Sequence, residues 1–473
     1  MSKFINTLFP FFDHLYIFQL LEYEIPSFLI WFLKHPSKRN LQRKHKLVFT
    51  QKTLAITIIG LGLLVLVSAS SAYSLFYDLV LTPFFIIFYG LFSPIFIISA
   101  QVILSPFEEY SKNKLLKAAS EKVRSLPNLK KVAIVGSFAK TSTKNMLYTL
   151  LWKDFIVVKT PKSFNTPISV ARTIMEDLKK NTEVFIVEMD AYHPGEIKKL
   201  AYLIEPDMAI ITAIAPQHLE RFGSMDILAK TQFEVVSELK KDGLLILNSS
   251  DDWTMKLHQN YKINKVFFGQ RSEDMVFASN SRPSEDGWSF TLHYQGKSVL
   301  IDLPLFGSHN ILNFLAASAA AISLELDLET IKKRALLIQP IEHRLEIRKT
   351  GNITIIDNSY NTNPTVSKSS LKLLKEYAGS QKILITPGLI ELGGDAERQN
   401  LEFAKEAARV SDEIIIVGIN ARKALLKGLE LKKFPAKNIH LSSSTQEAMN
   451  KLAQITKPDS VVLLENDLPD QYF

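Results

Sequence analysis

From Lys131 onward, short runs of aliphatic and β-branched residues alternate with amphipathic, helix-like stretches. The runs are KVAIVG (131–136), DFIVVKT (154–160), EVFIVEM (183–189), MAIITAI (208–214) and GLLILN (243–248). This βαβ rhythm admits few folds, because it requires a mostly parallel sheet with helices as crossovers. Between about Asp274 and Gly307 the pattern turns strand-rich without helices, which predicts an antiparallel hairpin addition. Two helices are expected next, from Asn310 to about Leu324 and from Leu328 to about Ile338. A second α/β unit starts near Arg344, with strands NITIID (352–357), KILITPG (382–388), EIIIVG (413–418) and SVVLLEN (460–466). The boundary between the two units falls at Gln339–Glu342.

The N-terminal quarter has a different texture. No charge occurs from Thr53 to Tyr77, nor from Leu79 to Ser105, and only Asp78 separates the runs. Each run exceeds the roughly 20 residues that cross a bilayer core. Cations flank both ends: Lys34, Lys38, Arg39, Arg43, Lys44, Lys46 and Lys52 before, Lys112, Lys114 and Lys117 after. The expectation is a transmembrane hairpin, spans about 53–77 and 79–105, with both ends cytoplasmic. The competing interpretation is a buried core hairpin. Residues 1–33 suggest an interfacial helix or a third segment. The basic stretch follows this region, which argues against a cleaved signal peptide.

The formal net charge of +8 is concentrated before the apolar runs, which points to anionic lipid and away from nucleic acid. With no cysteine in the chain, disulfides, thiolate metal sites and cysteine nucleophiles are excluded.

One strand–loop–helix is a candidate nucleotide site. KVAIVG runs into Gly136-Ser137-Phe138-Ala139-Lys140-Thr141-Ser142. Backbone N–H groups at such a helix start can hold phosphates, the lysine can reach the β/γ-phosphates, and the threonine hydroxyl can ligate Mg²⁺. As a bare pattern it is imperfect, since Ala139 stands where a glycine is usual. A chance strand–turn–helix fits it about as well.

The longer pattern decides between them. VAIVGSFAKTSTKNM, KTPKSFNTPISVARTI, VEMDAYHPGEI, ITAIAPQHLERFGS, LNSSDD, GSHNILNFLAA, HRLE, IIDNSYNTNP, TPGLIELGG and LLENDLPD follow one another over roughly residues 128–473. In that order they resemble the Mur ligase family, and within it the MurF type. The resemblance implies a P-loop-type ATPase α/β domain over 128–340 and a C-terminal Rossmann-like α/β domain over 341–473. Residues 1–127 would be a membrane-anchoring region in place of the family's substrate-nucleotide domain.

It also implies roles. Lys140, Glu188, His218 and Arg344 would be catalytic. ATP would lie against Gly136, Ser137, Lys140, Thr141, Ser142, Asn310, Asn313, Arg344 and Asp357. Mg²⁺ would be held by Thr141, Glu188 and His218. Asn165, Tyr360, Asn361, Asn363 and Glu391 are further candidates. Two departures stand out: Ala139 in the loop, and Gln232 where relatives carry a carbamylated lysine, with Lys230 two residues away.

The implied activity is ADP-forming amide-bond ligation through an acyl phosphate, adding D-alanyl-D-alanine or a similar amine to a peptidoglycan-precursor peptide. The alternatives are a ligase on a lipid-linked or other acceptor, a folate or polyamide ligase, and a catalytically weak ATP-binding scaffold. The expected partners are ATP, the precursor peptide, the amine and the lipid bilayer. The expected location is the cell membrane, multi-pass, with the catalytic domains on the cytoplasmic side.

Overall fold

The computed structural model describes residues 10–34, 47–76, 79–90, 92–217, 219–360, 362–390 and 392–466. Two compact units separate, one ending at Lys114 and the other beginning at Leu115. The basic residues Lys38 to Lys46 and Asp78 lie outside the described residues.

The first unit is helical: α1 (Phe11–Leu20), α2 (Ile25–Lys34), α3 (Gln51–Phe76), α4 (Thr82–Gly90) and the larger part of α5 (Ser93–Arg124). Phe11, Leu15, Phe18 and Phe28 pack with Ile56 of α3 and Ile97 and Ala100 of α5. Gly60 permits this close packing, because a Cβ there would meet the Phe11 ring at 3.1 Å. Other α3 side chains, Leu54, Ile58, Val65 and Leu66, are exposed.

The expected pair of membrane spans is not established: one described helix qualifies alone, and a second span would require the bent pair Thr82–Gly90 and Ser93–Arg124 to count as one. Among the described residues one helix, Gln51–Leu75, is long and apolar enough to cross a membrane. The second uncharged run is divided into α4 and the start of α5, which are bent by 86° to one another. Thr82-Pro83 and Ser93-Pro94 each open a new helix. Proline fits a first turn, where its missing N–H is not needed, and is costly in a helix interior, although α5 accommodates Pro106 there. Apolar length alone did not register this punctuation. The multi-pass placement expected above is therefore not supported, and neither is the bilayer as a partner.

The second unit holds two sheets. The larger contains β1 (Lys130–Val135), β2 (Val157–Lys159), β3 (Val184–Glu188), β4 (Met208–Ile211), β5 (Leu244–Asn248), β6 (Asn264–Gly269), β7 (Val276–Ser284), β8 (Gly287–Tyr294) and β9 (Lys297–Leu303). Its order is β2-β3-β1-β4-β5-β6-β7-β8-β9. Pairing is parallel from β2 through β7, then antiparallel through β8 and β9. Its helices include α6 (Lys140–Leu151), α7 (Pro167–Asp177), α8 (Glu196–Ile204), α9 (Met225–Phe233), α10 (His309–Ser323) and α11 (Leu328–Ala335). Two apolar layers sandwich the sheet. Leu147, Ile186, Ile210 and Phe314 lie in one, Val135, Phe185, Ile211 and Phe233 in the other.

The smaller sheet has the order β10-β11-β15-β12-β13-β14. Its strands are β10 (Glu346–Thr350), β11 (Ile353–Asn358), β12 (Gln381–Thr386), β13 (Glu413–Val417), β14 (Ile439–Ser442) and β15 (Ser460–Glu465). Only the β10–β11 pair is antiparallel. Helix α12 (Pro364–Glu376) follows β11.

Candidate active site

In the larger sheet β1 lies between β3 and β4, so the chain leaves its C-terminal end at a topological switch point. Crevices form there in parallel α/β sheets. The loop after β1 is shaped by two residues with positive φ. Gly136 has φ 138°, and a Cβ on it would fall 2.1 Å from Thr212 Oγ1, so only glycine fits. Ala139 has φ 68° and directly precedes α6. This alanine adopts the left-handed conformation that a glycine would take without strain.

Gln232 holds the loop from beneath. It is buried on α9, and its Oε1 accepts a 2.8 Å hydrogen bond from the Gly136 N–H. Lys230, two residues away, is exposed and pairs with Asp226 at 2.7 Å. The glutamine carbonyl is thus occupied in shaping the loop. Ser137 is also committed: its N–H donates to Ala213 O at 2.8 Å and its Oγ accepts from the Ala215 N–H at 3.1 Å.

Lys140 curls back over the loop. Its Nζ donates to Gly136 O at 2.6 Å and pairs with Asp190 at 3.0 Å. Thr141 Oγ1 lies 3.0 and 2.9 Å from the two carboxylate oxygens of Glu188, at the end of β3. Lys144, one turn along α6, is fully buried. Its Nζ lies 2.7 Å from Glu188 Oε2 and also donates to Lys162 O. Burial lowers its pKa, against the pull of Glu188. Lys144 is not among the residues expected from the sequence. Its spacing of four from Lys140 is the signal, since i and i+4 share a helix face.

Arg344 arrives from the start of the C-terminal portion. Its Nη2 donates to Thr141 Oγ1 at 3.2 Å, and its guanidinium stacks 4.3 Å over the Tyr360 ring. The Tyr360 hydroxyl donates to Ser163 Oγ at 3.1 Å. Asn165 Nδ2 is 3.5 Å from Glu188 Oε1, a weak contact. Around these groups lies a cleft of about 200 Å³, lined by Ser137, Lys140, Thr141, Glu188, Arg344 and Asn363 among others. A second cavity of about 350 Å³ takes Ser142, Lys159, Asn310 and Arg344 into its wall. Burial, and secondarily the charge of Lys144, pushes the Lys159 ammonium down to about 8.

Not every expected residue joins this constellation. Asn310 donates to Phe306 O at 2.7 Å and accepts from Asn313 at 2.9 Å, so Asn313 acts through its neighbour. Asp357 lines neither cavity. Its carboxylate is taken up by His343 at 2.9 Å, by Ser359 at 2.6 Å and by Arg348. Burial pushes its pKa up, but the bonds from Ser359 and His343 outweigh that and hold it below the usual range. His218, Asn361 and Glu391 lie outside the described residues.

The family described as Mur ligase middle domain matches residues 134–321, and that described as Mur ligase, glutamate ligase domain, matches 343–465. The UDP-N-acetylmuramoyl-tripeptide–D-alanyl-D-alanine ligase of Buchnera aphidicola subsp. Acyrthosiphon pisum is 30% identical over 354 residues, 72% of this chain and 77% of that protein. The chain belongs to the Mur ligase family. The ligase of the same name from Bacillus subtilis is 31% identical over 281 residues, 59% of each chain. This Mur ligase thus spans about three fifths of the length of the first curated relatives it matches. A crystal structure of MurF from Acinetobacter baumannii superposes with a TM-score of 0.69 at 26% identity, covering 76% of this chain and 78% of that one.

The site can be tested for the Mg²⁺ that the family implies. Thr141 and Glu188 offer hard oxygen donors within reach of one another. Among the described residues no group of three or more His, Cys, Asp or Glu could hold a metal. Mg²⁺ characteristically binds through one or two carboxylates together with substrate phosphates and water, so this sparse donor set fits it.

Proposed function

We propose that this Mur ligase is an ADP-forming amide-bond ligase of the MurF type, joining a D-alanyl-D-alanine-like dipeptide to the peptide of a peptidoglycan precursor. The observation that carries the proposal is the meeting of three parts at one cleft. These are a phosphate-type loop with Lys140, the Thr141–Glu188 pair, and Arg344 brought from the second α/β portion.

In the first step an acceptor carboxylate oxygen bonds to the γ-phosphorus of ATP, and the bond to the bridging oxygen breaks to release ADP. In the second, the amine nitrogen bonds to the acyl carbon, inorganic phosphate leaves and the amine loses a proton. Such chemistry depends on positioning and charge more than on covalent help from the protein. Lys140 and Arg344 supply fixed positive charge at the phosphates, where charge redistributes in the transition state. Thr141 and Glu188 would hold Mg²⁺, which offsets phosphate charge when bound. His218 is the further metal-side candidate. Ser142 and Asn310 in the second cavity suit the remainder of the nucleotide. The two catalytic portions are taken as 128–340 and 341–473.

The test is ADP release from purified protein given ATP, Mg²⁺, the muramoyl-tripeptide acceptor and D-alanyl-D-alanine. Release should need both acceptor and amine, and Lys140→Ala should cut turnover by about two to three orders of magnitude while leaving the fold intact. ADP release indifferent to omission of either substrate would sink the proposal.

A further inference from the structure

The cluster at Glu188 holds one more cation than the ligase chemistry uses. Lys144 Nζ is 2.7 Å from Glu188 Oε2, and both side chains are buried. Lys140 is paired with Asp190 at 3.0 Å, and the Arg344 guanidinium reaches Thr141 at 3.2 Å. Three cations, Lys140, Lys144 and Arg344, therefore face two carboxylates, Glu188 and Asp190, leaving a surplus of one positive charge among the described residues. Lys159 adds to the same sign nearby. A dication entering this cluster alone meets net repulsion, and at Glu188 it meets a carboxylate that already has a counter-ion. Charges a few ångströms apart in a buried site interact strongly enough for this to decide occupancy. A nucleotide's phosphates reverse the balance, since their several negative charges exceed the surplus.

From this geometry we infer that Lys144 is a built-in counter-ion that keeps divalent metal off Glu188 until nucleotide phosphate arrives. Metal and nucleotide then enter together, not metal first. Lys144 is a positioning residue in this role, acting through Glu188. Its second bond, to Lys162 O, fixes the ammonium from the loop that also carries Ser163 and Asn165. The inference rests on the nucleotide-site assignment proposed above.

The experiment titrates Mn²⁺ into the whole protein by electron paramagnetic resonance, with and without ADP. Natural protein should bind Mn²⁺ weakly alone and at least about tenfold more tightly with ADP, the gain expected when phosphate charge reverses the local balance. Lys144→Met should bind Mn²⁺ without nucleotide about tenfold more tightly than natural protein. That gain should vanish when Glu188→Gln is added, and Lys144→Arg should behave like the natural chain. A folded Lys144→Met with unchanged nucleotide-free affinity overturns the inference. So does natural protein that binds Mn²⁺ equally well with and without ADP, a result that requires no variant to fold. Failure to bind ADP at all would instead strike at the nucleotide-site assignment.

Discussion

At the scale of single residues, the loop shows how a motif survives substitution. Ala139 looks in the sequence like a lost glycine, yet the backbone keeps φ 68°. A left-handed alanine costs roughly 1–2 kcal/mol, while glycine would cost roughly 0.5–1 kcal/mol in unfolded-state freedom. The two effects nearly cancel. Ala139→Gly should therefore change stability by less than about 1 kcal/mol and leave ADP affinity intact, whereas a β-branched Ala139→Val should cost about 2 kcal/mol or more. Urea unfolding of both variants checks this. If Ala139→Gly loses as much stability as glycine costs at an ordinary helical alanine, the left-handed turn is not adopted. Gln232 teaches a related lesson. Counting along the chain marks its position, but only its partner, the Gly136 N–H, reveals that it supports the loop.

Among elements, legibility followed burial. The five runs named for the first sheet hold its strands β1 to β5, because strands covered on both faces read as continuous apolar runs. β6, β10 and β14 were not read. Asn264–Gly269 begins with polar residues, and Ile439–Ser442 is a four-residue edge strand with little to bury. The helix expected from Asn310 to about Leu324 is α10, His309–Ser323. Lys140, Thr141 and Glu188, each next to a strand end, meet at one cleft. Asp357 lies apart from them, its carboxylate bound by Arg348 and His343 from separate turns of chain. Strand β15 ends on a feature no pattern disclosed. Glu465 is fully buried and accepts from Asn358, Thr362 and Ser370, which ties β15 to β11, α12 and the loop carrying Tyr360. Burial raises its pKa to about 7, against those hydrogen bonds. Its folded pKa is above the unfolded one, so its contribution is full below the unfolded value near 4.5 and is lost as pH rises through about 7. The shift corresponds to about 3 kcal/mol. Glu465→Gln should flatten the fall in stability between pH 5 and pH 8, as read by urea unfolding at both. An identical pH slope in the variant would remove Glu465 as its source.

For the whole molecule, the change from apolar helices to α/β layers is not where composition alone puts it. The uncharged run stops at Ser105 and the strand texture starts after Pro127, so the sequence assigns the stretch between to the N-terminal region, 1–127. In the fold, α5 continues to Arg124, and its last turns belong to the second unit. Ala119 and Val123 are buried there with Leu129, Val170, Ile174 and Leu203, while Leu115, Leu116 and Leu126 pack against them. Arg124 pairs with Glu205 at 2.7 Å, and Lys122 donates to Met175 O at 2.9 Å. The exposed ion pair adds little. The apolar contacts dominate, since removing several buried aliphatic side chains from one layer opens the core at the edge of α7 and α8. Two shortened proteins separate these contributions. A chain beginning at Leu115 retains the whole layer and should unfold cooperatively with ADP binding preserved. A chain beginning at Asn128, the boundary that texture suggests, should be less stable by on the order of 5 kcal/mol. Its urea midpoint should fall accordingly, and ADP should bind it more weakly as the unfolded fraction grows. Equal midpoints for the two chains would mean that the end of α5 is an appendage and that the layer closes without it.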